Sequence, residues 1–179
     1  LAEAGNEFYS FAGAARLAEA LPGFSAGRAI VGVCGAPFKC PPAPSECALL
    51  LHDELVSRGV RDQCTISFVL PLPSPVPPSP ETSAALLDEF AERDIRFVPG
   101  RRSASVDADG GVATLDDGTE RPFDLFLGVP KHRAPDVVIE SGMAEDGYIP
   151  VDSATLKTKF PGVFALGDVA TVGVPKAGV

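Results

Sequence analysis

The chain has 179 residues, 45% of them apolar and 22% charged, with mean hydropathy +0.17, net charge −9 and a pI near 4.6. That profile suits an ordinary globular fold, with enough chain for one core and a piece of another. An acidic surface repels phosphate backbones and anionic headgroups, which argues against nucleic-acid binding and against electrostatic docking on a membrane. No apolar run approaches the ~20 residues needed to cross a bilayer, and no basic region followed by an apolar stretch opens the chain, so it reads as cytoplasmic. Cys34, Cys40, Cys47 and Cys64 include no C-x-x-C pair, and His52 and His132 add no closely spaced partner. A zinc site needs converging, closely paired ligands, so no metal is expected, and small apolar core positions account for most of the cysteines. Leu1 to Glu7 has no methionine or evident start, and Val179 falls inside what reads as the opening of a helix. An internal piece of a longer protein is therefore expected.

Ser10 to Ala20 carries Phe11, Ala14, Ala15 and Leu17 at helical spacing, and Pro22-Gly23 stops it. Arg28 to Val33 is a short apolar run fit for a buried strand. Gly35 to Pro44 is a loop with four prolines. Pro44 suits the first helical position, and Cys47, Leu50, Leu51 and Leu55 then form an apolar face that ends at Gly59. Cys64 to Leu70 returns to strand character. Strand, helix and strand in that order make a βαβ unit with parallel strands. Leu70 to Pro80 holds six prolines and admits no regular structure. Thr82, a good N-cap, opens a second helix to Arg93, and Ile95 to Val98 is a strand. Ser103 to Val106, Val112 to Leu115 and Phe123 to Val129, separated by Asp/Gly turns, read as a small antiparallel meander.

This order of elements resembles the nicotinamide-type domain of flavoproteins like the pyridine nucleotide-disulfide oxidoreductases. Near the end, Thr158-Lys-Phe-Pro-Gly-Val163-Phe164-Ala165-Leu166-Gly167-Asp168 matches the second flavin fingerprint of that superfamily, T-x-x-x-x-V-F/Y-A-x-G-D, at every defined position. By that resemblance Val163 to Leu166 is a buried strand. Gly167 then lets backbone approach the cofactor, and Asp168 accepts hydrogen bonds from the ribityl chain of FAD. Lys176, in Val174-Pro-Lys-Ala-Gly178, resembles the start of the helix whose N-terminus faces the pyrimidine edge of the flavin, although a solvated lysine explains it equally simply.

A nicotinamide-binding βαβ unit carries G-x-G-x-x-G after its first strand, because phosphates must approach bare backbone. Here the position reads Gly35-Ala-Pro-Phe-Lys39-Cys40-Pro-Pro-Ala-Pro44-Ser-Glu46. One glycine remains, and the prolines lack the N–H donors that would cradle a pyrophosphate, so an ordinary NAD(P)H site is not expected. Lys39-Cys40-Pro-Pro-Ala-Pro-x-Glu46 resembles the stretch carrying one redox cysteine in sulfide:quinone oxidoreductases and flavocytochrome c sulfide dehydrogenases. Pro130-Lys-His-Arg-Ala-Pro135 and the segment from Glu140 to Asp152 resemble bacterial members of the same group. An adjacent ammonium and a helix start would favour a thiolate at Cys40. Glu46 reads either as a proton-handling acid or as an ordinary acid in a first helical turn.

The resemblance implies an α/β fold: residues 27–129 as a Rossmann-like NAD(P)-type domain, with 1–26 and 130–179 as pieces of an FAD-binding domain. It implies a parent enzyme that oxidises sulfide, or a thiol donor, at Cys40 and passes electrons through FAD to a quinone acceptor. A second redox cysteine lies beyond Val179 by the family pattern. The parent is then peripheral to the inner face of a membrane, and a homo-oligomer stays open. Two other readings share the fold: a type II NADH dehydrogenase-like flavoprotein, which needs the missing glycine-rich loop, and a non-catalytic Rossmann-like scaffold.

Overall fold

The structure is a computed structural model and describes residues 5–173. Contacts divide the chain into two compact units: one holds Ala36 and the residues before it together with Pro42–Pro130, the other Pro37–Pro41 and the chain from Lys131 on.

The first unit is built on a parallel sheet of β1 (Gly27–Val33), β2 (Cys64–Leu70), β3 (Ile95–Pro99) and β7 (Leu125–Val129), in the order β3-β2-β1-β7. Helix α2 (Ala43–Ser57) joins β1 to β2, and α3 (Pro80–Glu92) joins β2 to β3. Parallel strands need such crossovers, and crossovers cover the sheet, which is why the strands read as continuous apolar runs. Both faces of the sheet are closed. Phe68 and Phe97, paired in register, meet Phe90 of α3 in an aromatic cluster with ring centroids 5.5–5.9 Å apart. The alternate residues Ile30, Val69 and Phe126 pack against Ala113, Leu115 and Phe123. Gly32 allows that closeness: a Cβ there would lie 2.6 Å from both the Phe126 ring and Ser103 Oγ.

Ala113 and Leu115 belong to β5 (Val112–Leu115) of an antiparallel sheet with β4 (Ser103–Asp107) and β6 (Glu120–Pro122), ordered β4-β5-β6. The meander expected from sequence is thus present, but its third strand is Glu120–Pro122. Leu125–Val129 is a different strand that leaves the meander and pairs in parallel with β1. All five of its residues are buried, as only a strand covered on both faces requires.

Helix α1 (Phe11–Ala20) is capped by Ser10, whose Oγ accepts from the Gly13 N–H, and it ends in a turn of 3-10 helix at Leu21–Gly23. Its apolar spacing does not translate into burial, since Phe11 is 95% exposed. Helix α3 begins earlier than expected. Ser79, not Thr82, is its N-cap, and Pro80 takes the position where a missing N–H costs nothing. Leu50 on α2 is exposed, and the buried face runs through Pro44, Ser45, Ala48, Leu51 and Leu55 instead.

The residues before Gly27, expected to belong with a flavin-binding part, group with the sheet. Asn6 N–H donates to Phe126 O at 3.1 Å, and the Arg58 guanidinium donates to the carbonyls of Leu21, Pro22 and Phe24. Arg61, just beyond the same end of α2, plays a similar part. It donates to His52 Nδ1 and to the carbonyls of Cys64, Arg93 and Asp94, drawing α2, β2 and the end of α3 together.

The second unit is smaller. It contains α4 (Asp136–Glu140) and a two-stranded parallel sheet of β8 (Ile149–Pro150) and β9 (Ala170–Thr171). Ile149, Ala165 and Ala170 form its core, with Val138, Met143, Val151 and Val169 against them.

The starts of β1 and β7 are joined by one charged contact. Asp124 accepts from the Arg28 backbone N–H and from its guanidinium through both carboxylate oxygens, at 2.8–3.2 Å. These hydrogen bonds hold the Asp124 carboxyl below its ordinary value. A depressed folded-state pKa gives stability that is complete above the unfolded value of about 3.9 and is lost as pH falls through the folded value. Asp124→Asn should therefore lower stability at pH 7 and make the acid-side loss below about pH 4 shallower than in the parent chain. Denaturant melts at pH 7 and at successive acid steps measure both effects.

Candidate functional site

The Cys40 loop is held by the segment that follows β7. His132 N–H donates to Pro37 O at 3.0 Å, and the Lys39 N–H donates to His132 Nδ1 at 2.7 Å. A ring nitrogen that accepts carries no proton, so the imidazole is the neutral tautomer protonated on Nε2. Cys40 comes next with φ +54°. Only surrounding structure keeps a side-chain-bearing residue in that left-handed region, at a cost on the order of 1–3 kcal/mol. Pro41 narrows the options of Cys40 further.

Lys39 also reaches the flavin-type fingerprint. Its Nζ lies 3.8 Å from Asp168 Oδ2, with the two side chains 29% and 54% exposed. A pair so open to solvent is worth ~0–1 kcal/mol, and its consequence is positional: the residue before Cys40 is tied to the Gly167–Asp168 turn. The ammonium expected to support a thiolate at Cys40 is paired with a carboxylate.

Gly167 opens a 3-10 turn, Gly167–Val169, with φ +74°. Among the described residues, none beyond its chain neighbours lies within 4 Å of where a Cβ would be, so it is the backbone angle that demands glycine. Tyr148 is buried beside this turn, and its phenol is raised by burial and then by the Asp168 carboxylate.

The run before the turn departs from expectation. Val163 to Leu166 was expected as a buried strand, and it makes a single bridge, Phe164 to Lys157, with Ala165 alone buried; Phe164 is 56% and Leu166 68% exposed. An apolar run becomes a buried strand only with neighbours on both sides, and among the described residues only the stretch 156–158 pairs with it. Lys176 lies outside the described residues.

Cys34, Cys47, Cys64 and Glu46 belong to the first unit, and Cys40 to the second. Cys34 directly follows β1 and packs against the core, as expected, and burial lifts its thiol to about 11. Burial raises Cys47 to about 12, with Glu46 adding to it, and raises Cys64 too. Glu46 is an exposed residue of the first turn of α2. Sequence reasoning used the motif around His132 only as a resemblance. Its place directly after β7 was the signal that could have marked it as a support for the loop.

A profile of the pyridine nucleotide-disulphide oxidoreductases matches residues 45–178. The chain belongs to that family. The mitochondrial sulfide:quinone oxidoreductase of Schizosaccharomyces pombe is 31% identical over 148 residues, which are 77% of this chain and 31% of that protein. Among solved structures, the sulfide:quinone oxidoreductase of Aquifex aeolicus superimposes with a TM-score of 0.77 at 19% identity, over 95% of this chain and 42% of that one. An NAD-dependent persulfide reductase from A. fulgidus gives 0.62 at 20% identity, over 94% of this chain and 30% of that one. These structural likenesses show the fold, the mixed α/β arrangement of parallel and antiparallel sheets found in this family of oxidoreductases. The chain spans less than half the length of each of these relatives.

The thiolate is the nucleophile, and burial that raises the Cys34, Cys47 and Cys64 thiols disfavours it in those three. On brief treatment of the folded chain with iodoacetamide, Cys40 should label first, with Cys34 and Cys47 slower by roughly tenfold or more. Peptide mapping of the quenched reaction decides it, and first labelling at another cysteine overturns the assignment.

Proposed function

We propose that this chain is the part of a sulfide:quinone oxidoreductase-type flavoenzyme that bears one redox cysteine. The observation that carries this reading is the loop at 37–41. Where a dinucleotide-binding turn would present N–H donors, it presents prolines and Cys40, and through Lys39 it is tied to Asp168 of the fingerprint turn. The sulfide:quinone oxidoreductases among the relatives support the same choice of donor and acceptor.

In this reading Cys40 takes up sulfide sulfur. A thiolate and HS⁻ give a cysteine persulfide, releasing one proton and two electrons, and a quinone takes the two electrons with two protons to become a quinol. Residues 130–179 supply part of the flavin site. Gly167 and Asp168 fit the ribityl end of FAD: among the described residues nothing beyond its chain neighbours crowds Gly167, and the Asp168 carboxylate is exposed as an acceptor for a polyol. Lys176 is proposed for the ring edge. Bound FAD would supply the two-electron relay between the cysteine and the quinone. The contribution of this chain's residues is to fix the sulfur on a stiff loop and to set that loop beside the ribityl acceptor.

The full-length protein should reduce a short-chain quinone with sulfide and not with NADH. Cys40→Ser should lower the sulfide rate by roughly 10²-fold or more. NADH-driven reduction that ignores the Cys40 substitution would overturn the reading in favour of an NADH dehydrogenase. Unchanged sulfide turnover in the Cys40 variant would remove the cysteine from the chemistry.

The 179-residue chain by itself should not retain FAD. The pyrophosphate of a dinucleotide binds at a glycine-rich turn and helix N-terminus, and no glycine-rich turn follows a strand before Gly27. The remaining hydrogen bonds contribute ~0.5–3 kcal/mol each, too little to offset immobilising a large flexible ligand. Purified chain should be colourless and should not quench FAD fluorescence at micromolar concentration. Stoichiometric yellow flavin would show that it holds more of the cofactor site than proposed.

A further inference from the structure

The stretch Pro37-Phe38-Lys39-Cys40-Pro41-Pro42 has N–H groups only at Phe38, Lys39 and Cys40, because proline has none. A loop so poor in donors has few ways of being held by its backbone. Here two bonds converge on one residue of the facing segment: His132 N–H reaches Pro37 O at 3.0 Å, and the Lys39 N–H reaches His132 Nδ1 at 2.7 Å. The second is a short bond to a side-chain acceptor, so the peptide group leading into Lys39 is oriented by an imidazole ring. The Lys39 side chain is meanwhile committed to Asp168. The residue before Cys40 is thus held at its backbone by a hydrogen bond, and its tip lies beside a carboxylate. Cys40 then adopts φ +54°, a conformation that persists only when its surroundings over-determine it.

We propose that His132 is a positioning residue for Cys40, with Nδ1 as the acceptor that sets the loop on the amino side of the cysteine. This rests on the reading of Cys40 as the redox cysteine. The clamp itself is testable without turnover. An asparagine at position 132 offers a carbonyl oxygen near the place of Nδ1 and loses the ring, whereas a phenylalanine keeps the ring volume and loses the acceptor. The two substitutions therefore separate hydrogen bonding from packing.

Hydrogen exchange at the Lys39 amide, and tryptic cleavage of the Lys39–Cys40 bond, are measured in the folded chain for wild type, His132→Asn and His132→Phe, with thermal melts as the folding control. The expected result is faster exchange and faster cleavage in His132→Phe, each on the order of tenfold, and near wild-type protection in His132→Asn. Protection kept by phenylalanine and lost with asparagine would overturn the proposal, since ring packing would then hold the loop. In the full-length enzyme the sulfide-dependent kcat should fall in His132→Phe and return in His132→Asn. If the clamp behaves as expected while Cys40→Ser leaves sulfide turnover intact, the sulfide reading fails and the clamp stands. If the Lys39 amide exchanges equally fast in all three proteins, the inference fails whatever the activity.

Discussion

Burial of β1 on both faces is the constraint from which the first unit is built. Val31 and Val33 point to one side of the sheet, and Ile30 and Gly32 to the other, where Phe126 and Ser103 come so close that only glycine fits. A strand in that position cannot alternate polar and apolar residues, and it needs parallel neighbours whose connections cover the sheet. The order β3-β2-β1-β7 follows, with β1 internal. In such sheets ligands gather beyond the carboxyl ends of the strands, and the segment leaving β1 is the one whose composition departs most from a phosphate-binding turn.

That departure exchanges one kind of chemistry for another. A glycine-rich turn is useful because it has bare backbone and spare N–H donors. The loop after β1 has prolines in place of both, which leaves it few N–H groups to offer a phosphate. Its partners come from outside: His132 accepts from one of its few N–H groups and donates its own N–H to Pro37 O, and Asp168 offers a carboxylate to its lysine. The bond to the His132 ring and the pair with Asp168 both act on the residue before Cys40, which itself has φ +54°.

Much of this was legible in the sequence, and the failures have physical causes. β2 and β5 run between the expected residues because β-branched and aromatic runs flanked by turns leave little choice. Phe123 to Val129 was misread because an apolar run directly after a meander looks like one more hairpin strand. Continuous burial, not alternation, marks it as part of the parallel sheet. Thr82 and Ser79 are both competent caps, and Pro80 decides between them, since it fits the first turn of a helix starting at Ser79. For the candidate site, motif spacing singles out Cys40, Gly167 and Asp168 as candidates. The Lys39–Asp168 pair and the His132 bond join residues more than ninety positions apart, and no local pattern announces such contacts.

The open run from Val163 to Leu166 bears on the chain as a material. It is short, apolar and mostly solvent-facing, bridged among the described residues only to Lys157, and an unpaired apolar edge of that kind favours pairing between molecules in general. Opposing that tendency at neutral pH is the net charge of −9, which keeps molecules apart. As pH falls toward the pI of 4.6 that repulsion vanishes while the sticky edge remains. Electrostatic repulsion acting across the whole surface should then set the solubility of the isolated chain, and high salt, which shortens its range, should act as acid does.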